Sequence, residues 1–381
     1  MTRGLHLRWL LSSGFKVRAF VQIDLDAIEH NIKQIKSQTS AAILAVVKAD
    51  AYGHGLVPVA VRAIDSGATW LGTALLEEAI ALREAGIKVP IIAWLTPPHD
   101  DFESALSLNI DLSVSSIQLF EEILDQARRS GIRPRLHFEV DSGMRRGGVL
   151  KGWETFVEFA VEHKDEYNLI GFWSHFARAD EPSSEFNLMQ ENEFDRKLES
   201  LKVAGLTPEM VHLSNSAAIL SNSSAHRSIV RLGIAMYGLS PDVKNMGDAS
   251  LFNLRPAMTI RAQIHLIKDA KAGDAVGYGG AEVLTHDTKL GIIVMGYSDG
   301  LPRSTSNAAG VFFDGRKAPL VGRISMDQCV VDLGNNSLAE AGDYVTVMGG
   351  EGYSIDDWAA AAQTINYEIV TRIASRVPRI Y

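Results

Sequence analysis

The sequence predicts an α/β protein built as an N-terminal (β/α)8 TIM-type barrel followed by a C-terminal mainly-β domain. Three observations predict it. Between residue 42 and about residue 235, eight short β-rich runs alternate with amphipathic helical stretches. After residue 250 short runs continue, but the long helices between them stop. Chemically able residues cluster at the C-terminal ends of the first eight runs, where a barrel of this kind carries its chemistry.

The eight runs are AILAVV (42–47), TWLGTA (69–74), PIIAWL (90–95), IDLSV (110–114), RLHFEV (135–140), LIGFWSH (169–175), MVHLS (210–214) and SIVRLG (228–233). Helical spacing fills the gaps in LEEAIALREAG (76–86), IQLFEEILDQARRSG (117–131), WETFVEFAVEHK (153–164) and EFNLMQENEFDRKLESLKVAG (185–205), several closed by glycine. Eight such alternations favour a closed barrel over an open doubly wound sheet. Upstream, VQIDLDAIEHNIKQIK (21–36) adds a strand and a helix capped near Asp24. Downstream, MTIRAQIHLI, KLGIIVMGY, GVFFDGR, APLVGRIS, QCVVDL and DYVTVMGG are β-runs joined by turn residues. A capping box, Ser354 with Asp357, opens a last helix. The expected division is a leader at 1–17 whose order the sequence leaves open, a barrel at 18–248 and a β domain with a C-terminal helix at 249–381.

Composition narrows the partners. The net charge is −9 with no basic block, which argues against nucleic acid and anionic membrane and leaves a small molecule as the default ligand. The single cysteine allows no internal disulfide and no thiolate metal cluster, so no metal is expected and a reducing, cytoplasmic setting is. In the leader, the apolar stretch spans only Trp9 to Leu11, too short for a secretory signal, and no run is long enough to cross a membrane.

The strand ends can be read without a template. The first run ends on Lys48 and passes into Tyr52. A lysine buried without a partner is costly, so one at a strand end is paired, neutral or covalently used. The fifth run ends on Glu139 and Asp141, with Arg145 and Arg146 in the loop beyond. The sixth ends on His175, the seventh carries His212 and ends on Ser214, Asn215 and Ser216, and the eighth carries Arg231 before Gly233 and Ile234. In this fold, a phosphate site tends to form from the loops after the last two strands. A lysine, a phosphate cradle and nearby histidines and arginines together point to pyridoxal 5'-phosphate.

The chain resembles the alanine racemase family of fold-type III pyridoxal-phosphate enzymes. The resemblance rests on AVVKADAYGHG (45–55), DSGMRRGG (141–148), SHFARAD (174–180), NSAA (215–218), VRLGIAMYG (230–238), VGYGG (276–280), GYSDGLPR (296–303), GRISMDQ (322–328) and TINYE (364–368), in order and with compatible gaps. It implies an isomerase that interconverts L-alanine and D-alanine, supplying D-alanine for peptidoglycan, and works as a homodimer with shared active sites. By the same resemblance Lys48 is covalent anchor and one acid/base catalyst, and the partner subunit's Tyr278 is the other. Tyr52, Ser216, Ile234 and Tyr367 match phosphate contacts, with Asn215 and Gly233 beside them. His175 matches a histidine stacked on the cofactor ring, Arg231 the arginine facing the ring nitrogen, and His212 that arginine's hydrogen-bond partner. Arg146 matches the substrate-carboxylate arginine. Met326 and Asp327 match partner-side substrate contacts, and Tyr297 and Arg303 the entry channel.

Two positions depart from the family pattern. Glu139 stands where many members carry a lysine that becomes carbamylated, so it supplies the same sign of charge, and the expectation is that it holds Arg146 in place. MRRGG replaces the more usual MGRLG and adds Arg145, which leaves serine or a broader substrate range open. A decarboxylase on the same fold is disfavoured because Arg231 occupies the place of its carboxylate. A non-catalytic pyridoxal-phosphate carrier is disfavoured by VGYGG and GRISMDQ.

Overall fold

The computed structural model describes residues 17–381, and the expected leader lies almost wholly outside the described residues. The chain enters on β1 (Ala19–Ile23) and then folds as a compact unit, Asp24–Ala257. Within it β2 (Ala42–Val46), β3 (Trp70–Thr73), β4 (Ile91–Ala93), β5 (Asp111–Val114), β6 (Arg135–Glu139), β7 (Asn168–Trp173), β8 (Met210–His212) and β9 (Ile229–Leu232) form one sheet. Its order is β8-β7-β6-β5-β4-β3-β2-β9, and every pair is parallel. The ring closes between β8 and β9 through Arg231 N–H on the Ser214 carbonyl (3.0 Å) and Ser228 N–H on that of Val211 (3.2 Å). The predicted barrel is thus present, with each strand within two residues of its run in the sequence.

The helices form where sequence chemistry starts and stops them. Helix Leu25–Lys36 opens on Asp24, whose carboxylate accepts from Ala27 N–H, and buries Ile28, Ile32 and Ile35 along one stripe. Helix Ile117–Ser130 opens on Ser116 and ends at Gly131, whose φ of 70° is left-handed and natural for glycine. On β5 and β6, Leu112, Val114, Leu136 and Phe138 are fully buried on one face, while Asp111, Ser113, Arg135, His137 and Glu139 alternate onto the other. The inner face of this half of the barrel is therefore polar.

The second unit joins the segment up to Ile23 with Met258–Tyr381. This corrects the expected boundaries at 18 and 248. β1 pairs antiparallel with β10 (Met258–Ala270), from Ala19 opposite Ala262 to Ile23 opposite Met258, so it is a strand of the β-rich unit rather than part of the barrel. β11 (Ala275–Val276) and β12 (Glu282–Val283) form a small hairpin. β13 (Thr288–Ile293), β14 (Gly310–Phe313), β15 (Arg316–Pro319), β16 (Cys329–Asp332), β17 (Tyr344–Met348) and β18 (Arg379–Ile380) complete the main sheet. Its order is β15-β14-β17-β10-β1-β18, and β13 joins β10 to β16. A bulge between Ile264 and Leu266 lets the long β10 serve two sets of neighbours. The predicted capping box is present: Asp357 N–H meets Ser354 Oγ and Ser354 N–H meets Asp357 Oδ2, each at 2.9 Å, opening helix Ile355–Ala361.

Candidate active site

Lys48 leaves the barrel at the C-terminal end of β2 and starts the short helical segment Lys48–Gly53. Ala49, Asp50, Ala51 and Tyr52 all have φ of 52–54°, a left-handed turn made without glycine. Such a conformation costs roughly 1–2 kcal/mol per residue, or on the order of 4–8 kcal/mol here, and must be held from outside. Glu78 holds it. Its Oε1 accepts Ala49 N–H at 2.6 Å, while Oε2 accepts the N–H groups of Ala74 and Leu75, both at 3.1 Å, at the end of β3. Asp50 then caps the next helix by accepting Leu56 N–H at 2.8 Å.

The turn aims the amine between two aromatic faces, with Nζ 6.0 Å from the ring centres of both Tyr52 and Trp94. Trp94 reaches this place because Gly72 lacks a side chain, since a Cβ there would sit 2.4 Å from the indole. Burial, then the charge of Arg146, draws the ammonium below its usual range, with Arg231 adding to the pull and Glu78 opposing it. An amine so placed can be neutral often enough to bond covalently or take a proton.

Arg231 is buried on β9. Its Nη1 faces His212 Nδ1 at 3.3 Å, and Nη2 reaches His175 Nδ1 at 3.0 Å, the Ser174 carbonyl at 2.9 Å and that of Leu213 at 3.2 Å. Its guanidinium lies 5.1 Å over Trp173, which stacks on His212. Burial pushes Arg231 down to about 9 against the pull of Glu139, leaving it cationic at neutral pH. Burial and then Arg231 hold both His175 and His212 well below the ordinary range, so both rings are neutral.

The predicted phosphate residues of this unit converge. Ser216 Oγ accepts the N–H groups of Gly233 (2.9 Å) and Ala235 (3.3 Å), and Asn215 caps the short helix Ser216–Ser221 by accepting Ala218 N–H. A Cβ at Gly233 would lie 2.9 Å from Tyr52 Oη and 3.6 Å from Ser216 Oγ, so only glycine keeps this concavity open. Ile234, first in the turn Ile234–Tyr237, presents an N–H that the turn itself cannot satisfy. Two hydroxyls and a glycine-lined backbone suit a phosphate, and the chemistry of the set fits pyridoxal phosphate with Lys48 as its anchor.

Loop 141–148 is built on buried Asp141, whose carboxylate accepts from Gly143 (2.7 Å) and Arg145 (3.2 Å) N–H. Arg145 turns outward, its side chain 62% exposed and 3.9 Å from Asp141. Arg146 is exposed and, among the described residues, makes no ion pair, so its fork is open to a carboxylate. Glu139 does not touch Arg146. It lies against Gly147, where a Cβ would come within 2.6 Å of its Oε1, and it acts on Arg146 only through charge. Burial, outweighing Arg231 and Arg146, pushes its carboxyl up to about 7.

In the β-rich unit the remaining predicted residues come from four motifs. Tyr297 and Ser298 N–H groups bond the carbonyls of Ser325 and Met326, and Ser298 Oγ bonds Asp327 at 3.0 Å. Gly322 packs on Val276, where a Cβ would meet the carbonyl at 2.7 Å, which sets GRISMDQ against the hairpin that carries Tyr278. Tyr278 is 68% and Met326 55% exposed. Asp327 pairs with Arg376 at 2.7 Å, and Arg303 is exposed. Tyr367 is half-buried on helix Asn366–Thr371. Sequence reasoning missed Glu78, which reads as an ordinary first-turn acid, and Trp94. It also missed Asp111 and His137, although the alternation in IDLSV and RLHFEV places both on the inner face.

The chain is similar to known proteins over nearly its whole length. Residues 23–241 match the family described as alanine racemase, N-terminal domain, and residues 257–381 the family described as alanine racemase, C-terminal domain. An alanine racemase of Frankia casuarinae is 43% identical over 377 residues, covering 97% of each chain. The crystal structure of alanine racemase from D-cycloserine-producing Streptomyces lavendulae superposes with a TM-score of 0.93 at 41% identity, covering 96% of this chain and 97% of that one. The alanine racemase structure from Streptomyces coelicolor A3(2) also gives 0.93, at 42% identity, covering 96% and 98%.

Proposed function

The chain belongs to the alanine racemase family, and from that premise we propose that it uses pyridoxal 5'-phosphate to interconvert L-alanine and D-alanine, with Lys48 of one subunit and Tyr278 of the partner subunit as its two proton carriers. The observation that carries the reading is the placement of Lys48. It is half-buried at a barrel strand end with its amine drawn down, beside a glycine-lined hydroxyl cradle and an exposed Arg146. As an isomerase of alanine it supplies D-alanine for peptidoglycan.

Tyr52, Ser216 and the backbone at Gly233 and Ile234 would hold the phosphate, with Asn215 shaping the turn and Tyr367 a further contact. His175 would lie on the ring. When bound, the cofactor supplies a conjugated system that takes up the electron pair left at Cα. Arg146 binds the alanine carboxylate bidentately and sets which face of Cα each proton carrier meets. Lys48 takes or returns the proton on one face, the partner subunit's Tyr278 does so on the other, and exchange of these roles gives both directions. Arg231 presents only N–H donors, so the ring atom it meets stays an acceptor without a proton. Met326 and Asp327 of the partner subunit complete the carboxylate pocket, and Tyr297 and Arg303 line its entry. The exposure of Tyr278 and Met326 supports their use by a second copy in a homodimer. Among the described residues no helix is long and apolar enough to cross a membrane.

The test is incubation with L-alanine in D₂O, following optical activity and the α-proton signal together. Loss of both, abolished in Lys48→Ala, is the expected result. A yellow, cofactor-loaded protein that leaves alanine chiral and unexchanged overturns the activity, and L-serine is then tried in the same assay.

A further inference from the structure

The barrel interior carries a line of buried polar groups that leads away from the mouth. Arg231 Nη1 lies 3.3 Å from His212 Nδ1, His212 Nε2 lies 3.0 Å from His137 Nδ1, and His137 Nε2 lies 3.1 Å from Asp111 Oδ2. Asp111 in turn accepts Arg135 Nε at 2.6 Å and Nη2 at 3.1 Å. His137, His212, Asp111 and Arg231 are all buried, on β6, β8, β5 and β9. Arg135, at the start of β6, is the member that reaches solvent, its side chain 26% exposed.

The line admits one arrangement of protons. A guanidinium only donates, so His212 Nδ1 accepts and its proton sits on Nε2. That proton is donated to His137 Nδ1, which puts the proton of His137 on Nε2. A carboxylate only accepts, so Asp111 demands the same Nε2 proton from the far end. The two ends agree, and a bonded chain of this kind polarises toward its anion. The fold makes room for it: a Cβ at Gly171 on β7 would lie 1.9 Å from His137 Nδ1, and the β6–β7 register shifts between Leu136 and His137. Trp173, stacked on His212 at 4°, donates its indole N–H to Ser113 at 2.9 Å and so holds the imidazole plane.

We propose that Asp111 and His137 are positioning residues that act on Arg231, because the Asp111 carboxylate, through His137, fixes the Nε2–H form of His212 and keeps Nδ1 open to the arginine. The proposal rests on the functional reading above only for the use made of Arg231. Its substitution is Asp111→Asn. Arg135 needs an acceptor, so it takes the new carbonyl, and the amide NH₂ then faces His137 Nε2. His137 must move its proton to Nδ1, His212 must follow, and a His212 N–H then points at a guanidinium N–H.

The experiment is long-range ¹H–¹⁵N correlation on holoenzyme labelled in its 11 histidines, with His137→Asn and His212→Asn used for assignment. Wild-type protein is expected to show both histidines protonated on Nε2, and Asp111→Asn both on Nδ1. With the change in tautomer, kcat is expected to fall about tenfold at nearly constant KM, the scale of one lost hydrogen bond to a charged group. Arg135→Lys keeps the carboxylate and is expected to keep the wild-type tautomers and kcat. The proposal is overturned by a wild-type His212 protonated on Nδ1, by an Asp111→Asn protein with unchanged tautomers, or by changed tautomers with unchanged kcat. An Arg135→Lys loss equal to that of Asp111→Asn also overturns it, showing a structural role. The wild-type spectrum decides even if Asp111→Asn does not fold. Tautomers are read without turnover, so failure of the racemase reading is recognised separately.

Discussion

Lys48 and Tyr278 are given matching tasks in the proposed reaction, yet the chain builds them in opposite ways. Lys48 sits on a left-handed turn, pinned through Ala49 by Glu78 and flanked by two aromatic rings. Tyr278 sits in a glycine-rich turn between two strands of two residues each and is 68% exposed. One proton carrier is prepared inside its own subunit, where strain is stored to place it. The other is left at the surface, where a second copy can use it. In the proposed homodimer, precision would be supplied by the fold for the first and by assembly for the second.

The strongest way to break this contrast is complementation. Lys48→Ala and Tyr278→Phe homodimers should each lose racemase activity by three orders of magnitude or more, as a roughly 10²–10⁴-fold acid/base contribution and a lost anchor imply. Equal amounts of the two, dissociated and reassociated, should recover about a quarter of wild-type activity, because half the dimers would carry one intact site of two. No recovery would place both carriers on one chain.

Glu78→Gln probes the prepared side. Its amide would face the N–H groups of Ala74 and Leu75, donor against donor, so a stability loss of about 1–3 kcal/mol and a roughly tenfold lower kcat are expected, read by denaturant melts and steady-state kinetics. A lower kcat without a stability change would separate positioning from support.

Glu139→Gln should lower KM for alanine roughly three- to tenfold at pH 8, because the anion that offsets Arg146 and Arg231 and repels the substrate carboxylate is gone. Below pH 6 wild-type Glu139 is itself neutral, its carboxyl being held up at about 7, and the difference should close. The folded pKa lies above the ordinary value, so folding favours the protonated form. Glu139 therefore costs nothing below the unfolded pKa and destabilises progressively as pH rises through about 7. Glu139→Gln should accordingly be the more stable protein at pH 8, by up to roughly 3 kcal/mol, and the same at pH 4. Smallest of all, Ala49→Gly should relieve one left-handed residue and raise stability by roughly 0.5–1 kcal/mol, at some cost to kcat through a looser Lys48.

The barrel was legible because each strand is a short apolar run between helices with clear caps, and the site because the strand ends carry residues that a folded interior has little other use for. The turn after Lys48 was not legible: nothing in KADAYG, which has no glycine before Gly53, announces a left-handed backbone, since the tertiary bond from Glu78 overrides local preference. β1 read as a lead-in to the barrel because its own pattern is silent about its partners, which lie more than two hundred residues away. Asp111 and His137 were readable in principle, as polar residues at alternate positions of otherwise apolar runs. Their joining needed the register of four strands.

The pairing of β1 also orders events in time. Its two neighbours are β10 and β18, and Val21 lies opposite Arg379. Arg18 and Arg376 both close on buried Asp299, at 2.5 and 2.7 Å. During synthesis the ribosome delivers all of Asp24–Ala257 before β10 exists, so the barrel can collapse while the segment before it waits unpaired. The edge of β1 is satisfied only when residues near 380 emerge. Between those moments the nascent chain carries an exposed strand seeking a partner, and the time to finish translation sets how long a neighbouring chain has to capture it.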